Sequence, residues 1–307
     1  MLRYTLGRLL GAIPTLLLVI VLAFVLVRAA PGGPFDAERA VPPAVEANLK
    51  AYYNLDAPLY EQFFDYLGGV LRGDLGPSFR YADQTVAELI AESFPVSLLV
   101  GSLALLLALL VGVPAGIAAA LRPNTLTDRL VMALAMSGIS IPVFVFAPVL
   151  VLVFAVHLNW FPAGWSSSGD IGRLVLPVVS LALPQIAYVA RLSRASLIDV
   201  LNSEFIRTAR AQGLGQASII RHHALKPALL PVVSYLGPAV AIVLTGSVIV
   251  EEVFGVPGIG QIFVRGALNR DYTLVLGIVI FYAVLIIVAN LIVDLVYSWL
   301  DPRIRNG

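Results

Sequence analysis

The 307-residue chain has no cysteine, only three histidines and 13% charged residues, and its only lysines are Lys50 and Lys226. Without cysteine there can be no disulfide, thiolate metal site or cysteine nucleophile, and the compartment stays open on that count. A phosphate-binding loop of the Gly-Lys type brings backbone amides and an ammonium together on the phosphates. Lys50 follows Leu49 and Lys226 follows Leu225, so this chain cannot bind ATP in that way. His157, His222 and His223 form no His-Glu-x-x-His, and adjacent helical histidines point about 100° apart, a poor start for a shared metal. No serine stands in Gly-x-Ser-x-Gly, and no other nucleophile with an adjacent base is legible. The net charge of +1 comes from basic residues scattered through short connections, which gives no face for nucleic acid. No site residue for catalysis or metal binding is identified.

What the chain has in excess is apolar length. Hydrophobic residues make up 59% and the mean hydropathy is +0.90, beyond what a soluble core of this size needs, so the bilayer is the natural solvent. Charge-free runs extend over Leu9 to Val27, Ser93 to Leu121, Leu130 to Gly169, Leu174 to Ala190, Pro227 to Val250 and Tyr272 to Leu300, the last broken only by Asp294. A helix needs roughly 20 apolar residues to cross the hydrocarbon, so each run predicts one span. The runs lack the alternation of barrel strands, and backbone polar groups must be satisfied inside lipid. The expected fold is an all-α integral membrane protein with six transmembrane helices.

Orientation follows from the connections. With the N-terminus, Arg122 to Arg129, Arg191 to Lys226 and the C-terminus on one side, that side carries 12 Lys and Arg against 4 Asp and Glu; the other carries 8 against 14. The positive-inside rule then places both termini in the cytoplasm. Arg3, Arg8, the first apolar run and Val27-Arg28-Ala29 also imitate a signal peptide, but the run exceeds the usual h-region of roughly 7 to 15 residues, which favours a retained anchor.

Arg28 to Val96 is the sizeable polar region of the outer side. Pro42-Pro43 can open a helix carrying Val45, Leu49 and Tyr52; Leu59, Phe63, Tyr66 and Val70 repeat at helical spacing before the turn Gly73-Asp74-Leu75-Gly76-Pro77. These read as amphipathic helices against the membrane bundle, either a cap or a docking surface for a substrate-delivering partner. Trp160, Phe161 and Trp165 fit an interfacial aromatic belt. Gly112 and Gly116 allow close helix approach. Asp294 is an intramembrane polar residue, most simply a structural pairing.

Between Arg191 and Lys226 the apolar pattern breaks. Glu204 to Gln212 predicts a short helix, with Phe205, Ala209 and Gln212 on one stripe and Arg207 and Arg210 on another, ended by Gly213. Ser218 to Leu225 predicts a second short helix that stops before Pro227. Two small helices held between spans make a rigid knob able to pass a push from a soluble motor into the membrane. Topology alone would need the charges but not the Ala and Gly pattern.

The run FIRTARAQGLGQASIIRHHALKPALLP resembles the EAA loop of ABC importer permeases, whose core is small residues, then a glycine, then a proline about fourteen positions on. Thr208 and Ala209 stand at the small positions, Gly213 at the glycine and Pro227 at the proline; Arg207 replaces the usual leading Glu. APGGPF (30 to 35), GDLGPSF (73 to 79), EEVFGVPGIGQ (251 to 261) and GALNRDYTLV (266 to 275) are similar to the first permease subunit of bacterial oligopeptide and dipeptide ABC importers.

The resemblance implies a type I ABC importer permease fold in the bacterial cytoplasmic membrane. Residues 1–93 would be an N-terminal span plus outer region, 94–300 the permease core with its coupling loop near 203–227, and 301–307 a cytoplasmic tail. Phe205, Arg207, Thr208, Ala209, Arg210, Ala211, Gly213 and Pro227 would couple to the ATPase, and Glu251, Phe254, Pro257, Gly258 and Gly260 form the outer family motif. The implied partners are a second homologous permease in a heterodimer, two ATPase subunits, a peptide-binding protein and the lipid bilayer. ATP and Mg would be bound by the ATPases, with no cofactor on this chain, which would be no enzyme itself. A secondary transporter would need coupling carboxylates and an inverted repeat, and a membrane enzyme a catalytic dyad; neither is legible.

Overall fold

The computed structural model describes residues 2–29, 56–81, 83–166 and 170–300. The helix expected over Val45, Leu49 and Tyr52 and the tail 301–307 lie outside the described residues. The described residues form helices joined by loops, with an isolated antiparallel bridge between Pro77 and Thr85. In chain order the helices are α1 (Leu2–Ala29), α2 (Leu59–Leu71), α3 (Val86–Leu121), α4 (Leu126–Ser140), α5 (Val143–His157), α6 (Gly172–Leu201), α7 (Glu204–Ala211), α8 (Gln216–Phe254), α9 (Ile259–Leu268) and α10 (Tyr272–Leu300). Five of them, α1, α3, α6, α8 and α10, are long and apolar enough to cross a membrane.

The sixth expected span is not one straight helix. The run from Leu130 forms α4 and α5, bent by 105° at Ile141-Pro142. Proline has no N–H to continue the ladder and disfavours the α region for the residue before it. Ile141 accordingly sits in extended backbone, φ −89° and ψ 118°, and Pro142 starts the next helix.

Contacts divide the described residues into two units, one drawn from 97–256 and 286–300, the other from 2–29, 56–96 and 257–285. In the second unit, Val86, Leu89, Ile90, Ile259, Ile262, Leu274 and Ile278 form a buried core. Thr85 and Glu88 open α3 with a capping box: the Glu88 carboxylate accepts the Thr85 N–H at 2.8 Å and Thr85 Oγ1 accepts the Glu88 N–H at 3.3 Å. The fully buried Asp271 organises the turn before α10. It accepts the Ser78 hydroxyl, and its Oδ1 accepts the N–H groups of Phe79 and Leu274, each at 3.2 Å. Thr273 Oγ1 donates to the Pro77 carbonyl at 2.6 Å. GDLGPSF and GALNRDYTLV, far apart in sequence, are thus one hydrogen-bonded cluster. Gly73 and Gly76 take φ +81° and +85°, which fits the turn expected there.

In the first unit α3 packs on α6 through the Gly112–Gly116 step. A Cβ at Gly112 would lie 2.8 Å from the Ile186 carbonyl oxygen, and one at Gly116 would meet the Ala190 carbonyl oxygen, with Ser193 Cβ at 2.7 Å. Without bilayer-independent hydrophobic drive between spans, close backbone approach supplies the packing energy.

Candidate functional site

α6 runs past Arg191 and Arg194 to Leu201, so the basic segment begins as a helical extension of a span. Asn202 closes α6, and Ser203, in extended backbone, starts α7. Ile206 and Ala209, one turn apart, are buried in a cluster with Ala120, Leu197, Ile219, Ala224 and Ala228. Fully burying an Ile or Leu stabilises by about 1.5–3 kcal/mol, so Ile206 and Leu197 anchor α7 to the ends of α3 and α6.

Phe205 and Ala209 share one stripe of α7 but differ in exposure: Phe205 is 49% exposed, whereas Ala209 is buried in the core. The two lie about 40° apart on the helix wheel, and the Ile206–Ala209 face sets the edge of burial between them. The exposed face carries Phe205, Arg207, Thr208, Arg210 and Ala211. Arg207 Nη1 reaches Glu204 Oε1 at 2.8 Å, an exposed pair one turn apart, and Thr208 Oγ1 donates to the Glu204 carbonyl at 3.1 Å.

Gly213 ends α7 as expected. Its φ is +81°, its N–H donates to the Arg210 carbonyl at 3.0 Å, and the Leu214 N–H donates to the Ala209 carbonyl at 3.3 Å. Those two bonds are a Schellman motif. No other group lies within 4 Å of a Cβ built on Gly213, so the backbone conformation alone calls for glycine.

The second short helix does not stop before Pro227. It begins at Gln216, passes through a π-helical stretch at Ile219–Ala224 and continues as α8 to Phe254, with Pro231 and Pro238 inside it. A π stretch shifts the hydrogen-bond partner by one residue, which lets the chain enter a proline-containing helix without a full break. Pro227, half-buried, therefore marks the change of ladder rather than a helix end. The second half of the knob is therefore continuous with a span.

A bidentate ion pair, not legible in the sequence, supports the same region. Arg194 donates from Nε to Asp128 Oδ1 at 2.5 Å and from Nη2 to Oδ2 at 2.8 Å, and the buried Asp128 also accepts the Asn124 N–H at 2.8 Å. It ties the α3–α4 connection to α6. Deeper along α6 and α8, Tyr188 stacks on Tyr235 with centroids 4.2 Å apart, and the Tyr235 hydroxyl donates to Gln185 Oε1 at 2.7 Å. The Arg191 guanidinium lies 5.3 Å from the Tyr188 ring centroid.

The EEVFGVPGIGQ motif forms the end of α8 and the start of α9. Glu251 is fully buried and accepts the Ser97 hydroxyl at 2.7 Å; Phe254 is buried, and its carbonyl accepts the Trp165 N–H at 2.9 Å. Gly255, at φ +65°, caps α8. Pro257 is exposed, Gly258 caps α9 with its carbonyl accepting the Ile262 N–H at 3.3 Å, and Gly260 is buried within α9. Asp294 is half-buried on α10.

Residues 112–306 match the family described as binding-protein-dependent transport system inner membrane component, and residues 1–101 match its N-terminal companion. The chain belongs to this permease family. It is 52% identical over 305 residues to the oligopeptide transport system permease protein OppB of Haemophilus influenzae, covering 99% of this chain and 100% of that one. It is 53% identical to the OppB protein of Salmonella typhimurium, with the same coverage, and 43% identical over 306 residues to the dipeptide transport system permease protein DppB of Bacillus subtilis, covering 99% and 98%. Among solved structures it is similar to an inward-facing MetNI methionine ABC transporter chain, with a TM-score of 0.56 at 19% identity, covering 69% of this chain and 96% of that one. That likeness establishes the type I importer permease fold. As a member of this family with several membrane-crossing helices, the protein is a multi-pass inner-membrane permease subunit.

Proposed function

We propose that this subunit forms half of the translocation path of a peptide importer, driven from outside the chain by ATPase subunits that dock on α7. The observation that carries the reading is the end-to-end match to peptide permeases, at 52% identity over 99% of the chain. The knob supports the coupling role. Its buried face, Ile206 and Ala209, is committed to the spans, while Phe205, Arg207, Thr208, Arg210 and Ala211 remain for a partner. An exposed phenylalanine on a short helix that also exposes Arg207 and Arg210 suits a partner surface with both apolar and acidic contacts. Because Ile206 and Ala209 of α7 pack in one cluster with Ile219, Ala224 and Ala228 of α8, a displacement of α7 would be passed to that span.

A second homologous permease would complete the path, and a peptide-binding protein would deliver cargo on the opposite face. ATP and Mg belong on the ATPases, and both termini are placed in the cytoplasm with α7. Isolation of the complex from its native membrane tests this: a second permease, two ATPase subunits and a peptide-binding protein should accompany the chain, and peptide should stimulate hydrolysis. Robust ATP hydrolysis by the pure polypeptide would overturn the reading.

A further inference from the structure

The ends of α1 and α2, both in the second unit, enclose two adjoining cavities that share Arg28. One, about 370 Å³, is an apolar groove lined by Val21, Phe24 and Val25 of α1 and Leu59, Tyr60 and Phe63 of α2. The other, about 230 Å³, is polar, and its lining includes Arg28, Asp65, Tyr66, Arg72 and Asp74. Arg28 stands in the last turn of a membrane-crossing helix, at the depth where headgroups begin. Its guanidinium lies 5.5 Å from the Phe24 ring centroid and 5.7 Å from that of Tyr272. Arg28 Nε and the Tyr66 hydroxyl are both buried without a hydrogen-bond partner among the described residues. Burial pushes the Tyr66 phenol up, so it stays a donor at neutral pH.

We propose that α1 and α2 hold one ethanolamine phospholipid, with an acyl chain in the apolar groove and the headgroup in the polar cavity. Leaving buried donors unanswered costs free energy, and a phosphate ester would supply acceptors for Arg28 Nε and the Tyr66 hydroxyl, with the Arg72 guanidinium at the rim of the same cavity. The same cavity presents Asp65 and Asp74, the latter accepting the Gly76 N–H through Oδ1 at 2.9 Å. Two guanidinium groups and two carboxylates match a zwitterion rather than an anion. A primary ammonium offers three N–H donors to the carboxylates, whereas a trimethylated choline offers none. α2 also exposes Leu59, Tyr60 and Phe64, which fits a helix lying in the headgroup plane.

The intact complex would be purified in mild detergent and examined by native mass spectrometry. It would then be stripped of lipid and reloaded with micelles of ethanolamine, choline or glycerol phospholipid while thermal unfolding is followed. One ethanolamine lipid per chain should be retained, and that lipid alone should raise the unfolding temperature. Arg28→Gln should weaken its binding by about tenfold or more, the loss of one charge-assisted contact. Tyr66→Phe, which keeps the ring and its packing, serves if the arginine variant does not fold, and should also reduce retention. Asp65→Asn should shift preference from ethanolamine to glycerol lipid. Equal retention of all three lipids, or retention unaffected by these variants, would overturn the proposal; so would displacement of the lipid by a dipeptide, which would reassign the zwitterion-matched cavity to peptide.

Discussion

Arg194 grips Asp128 through two parallel hydrogen bonds, joining α6 to the first turn of α4 across 66 residues of sequence. The carboxylate has a third bond, from the Asn124 N–H, and is nearly inaccessible to solvent. Removing Arg194 leaves Asp128 buried with only the Asn124 N–H, and removing the Asp128 charge leaves a partly buried guanidinium without its acceptor. Asp128→Asn should therefore destabilise by about 1.5–3 kcal/mol, read from unfolding of the detergent-solubilised protein. Arg194→Lys should not restore stability, because an ammonium cannot make the paired fork contact. Wild-type stability in both variants would show the pair to be idle.

At Gly213 the constraint is conformational rather than steric. An L-residue in the left-handed region costs roughly 1–2 kcal/mol, least for Asn. Gly213→Val should insert into the membrane and still engage the binding protein, yet lose most uptake and peptide-stimulated ATPase activity; Gly213→Asn should keep most of both. Normal uptake by Gly213→Val with all subunits bound would remove the coupling role from α7.

Neighbouring residues on α7 should separate docking from folding. Ile206→Ala deletes a fully buried side chain and should cost about 2–5 kcal/mol of stability. Phe205→Ala, at an exposed position, should leave unfolding within about 0.5 kcal/mol of wild type and reduce retention of the ATPase subunits. Equal ATPase retention by Phe205→Ala and wild type would place the docking face elsewhere.

Helix packing at Gly116 predicts a sharp positional contrast. A side chain there meets the α6 backbone at Ala190 and Arg194, whereas a Cβ on Gly11 meets nothing within 4 Å. Gly116→Leu should abolish recovery of monodisperse protein, and Gly11→Leu should leave it unchanged. Size-exclusion profiles of the two variants decide the matter.

Absence of cysteine makes the orientation directly testable. Gln212→Cys and Asp83→Cys both place a thiol at exposed positions. In intact cells an impermeant reagent should label Asp83→Cys and spare Gln212→Cys until the membrane is opened. Labelling of Gln212→Cys from outside would reverse the proposed topology.

Much of the fold was legible because lipid imposes a coarse, local rule: a span must be an uninterrupted apolar run, and its end shows as charge. The helices carrying Leu9 to Val27, Ser93 to Leu121 and Tyr272 to Leu300, the glycine end of α7 and the Gly112–Gly116 packing step all follow from that rule and from residue-level conformational preference. The residues of the permease motifs were likewise readable as a string.

Tertiary structure alone decided what depends on partners distant in sequence. Whether Ala209 faces a partner or the core was set by Ile206 meeting Leu197 and Ile219, and short helices leave their burial edge to such contacts. The bend at Ile141-Pro142 turned one apolar run into two helices, while Pro227, Pro231 and Pro238 failed to break α8, because a proline's effect depends on whether the surrounding ladder can adjust. Asp128 with Arg194, and Asp271 with Ser78, were ordinary surface charges and hydroxyls by composition. Their importance comes from burial and pairing, and no local pattern encodes the position of a partner 66 or 193 residues away.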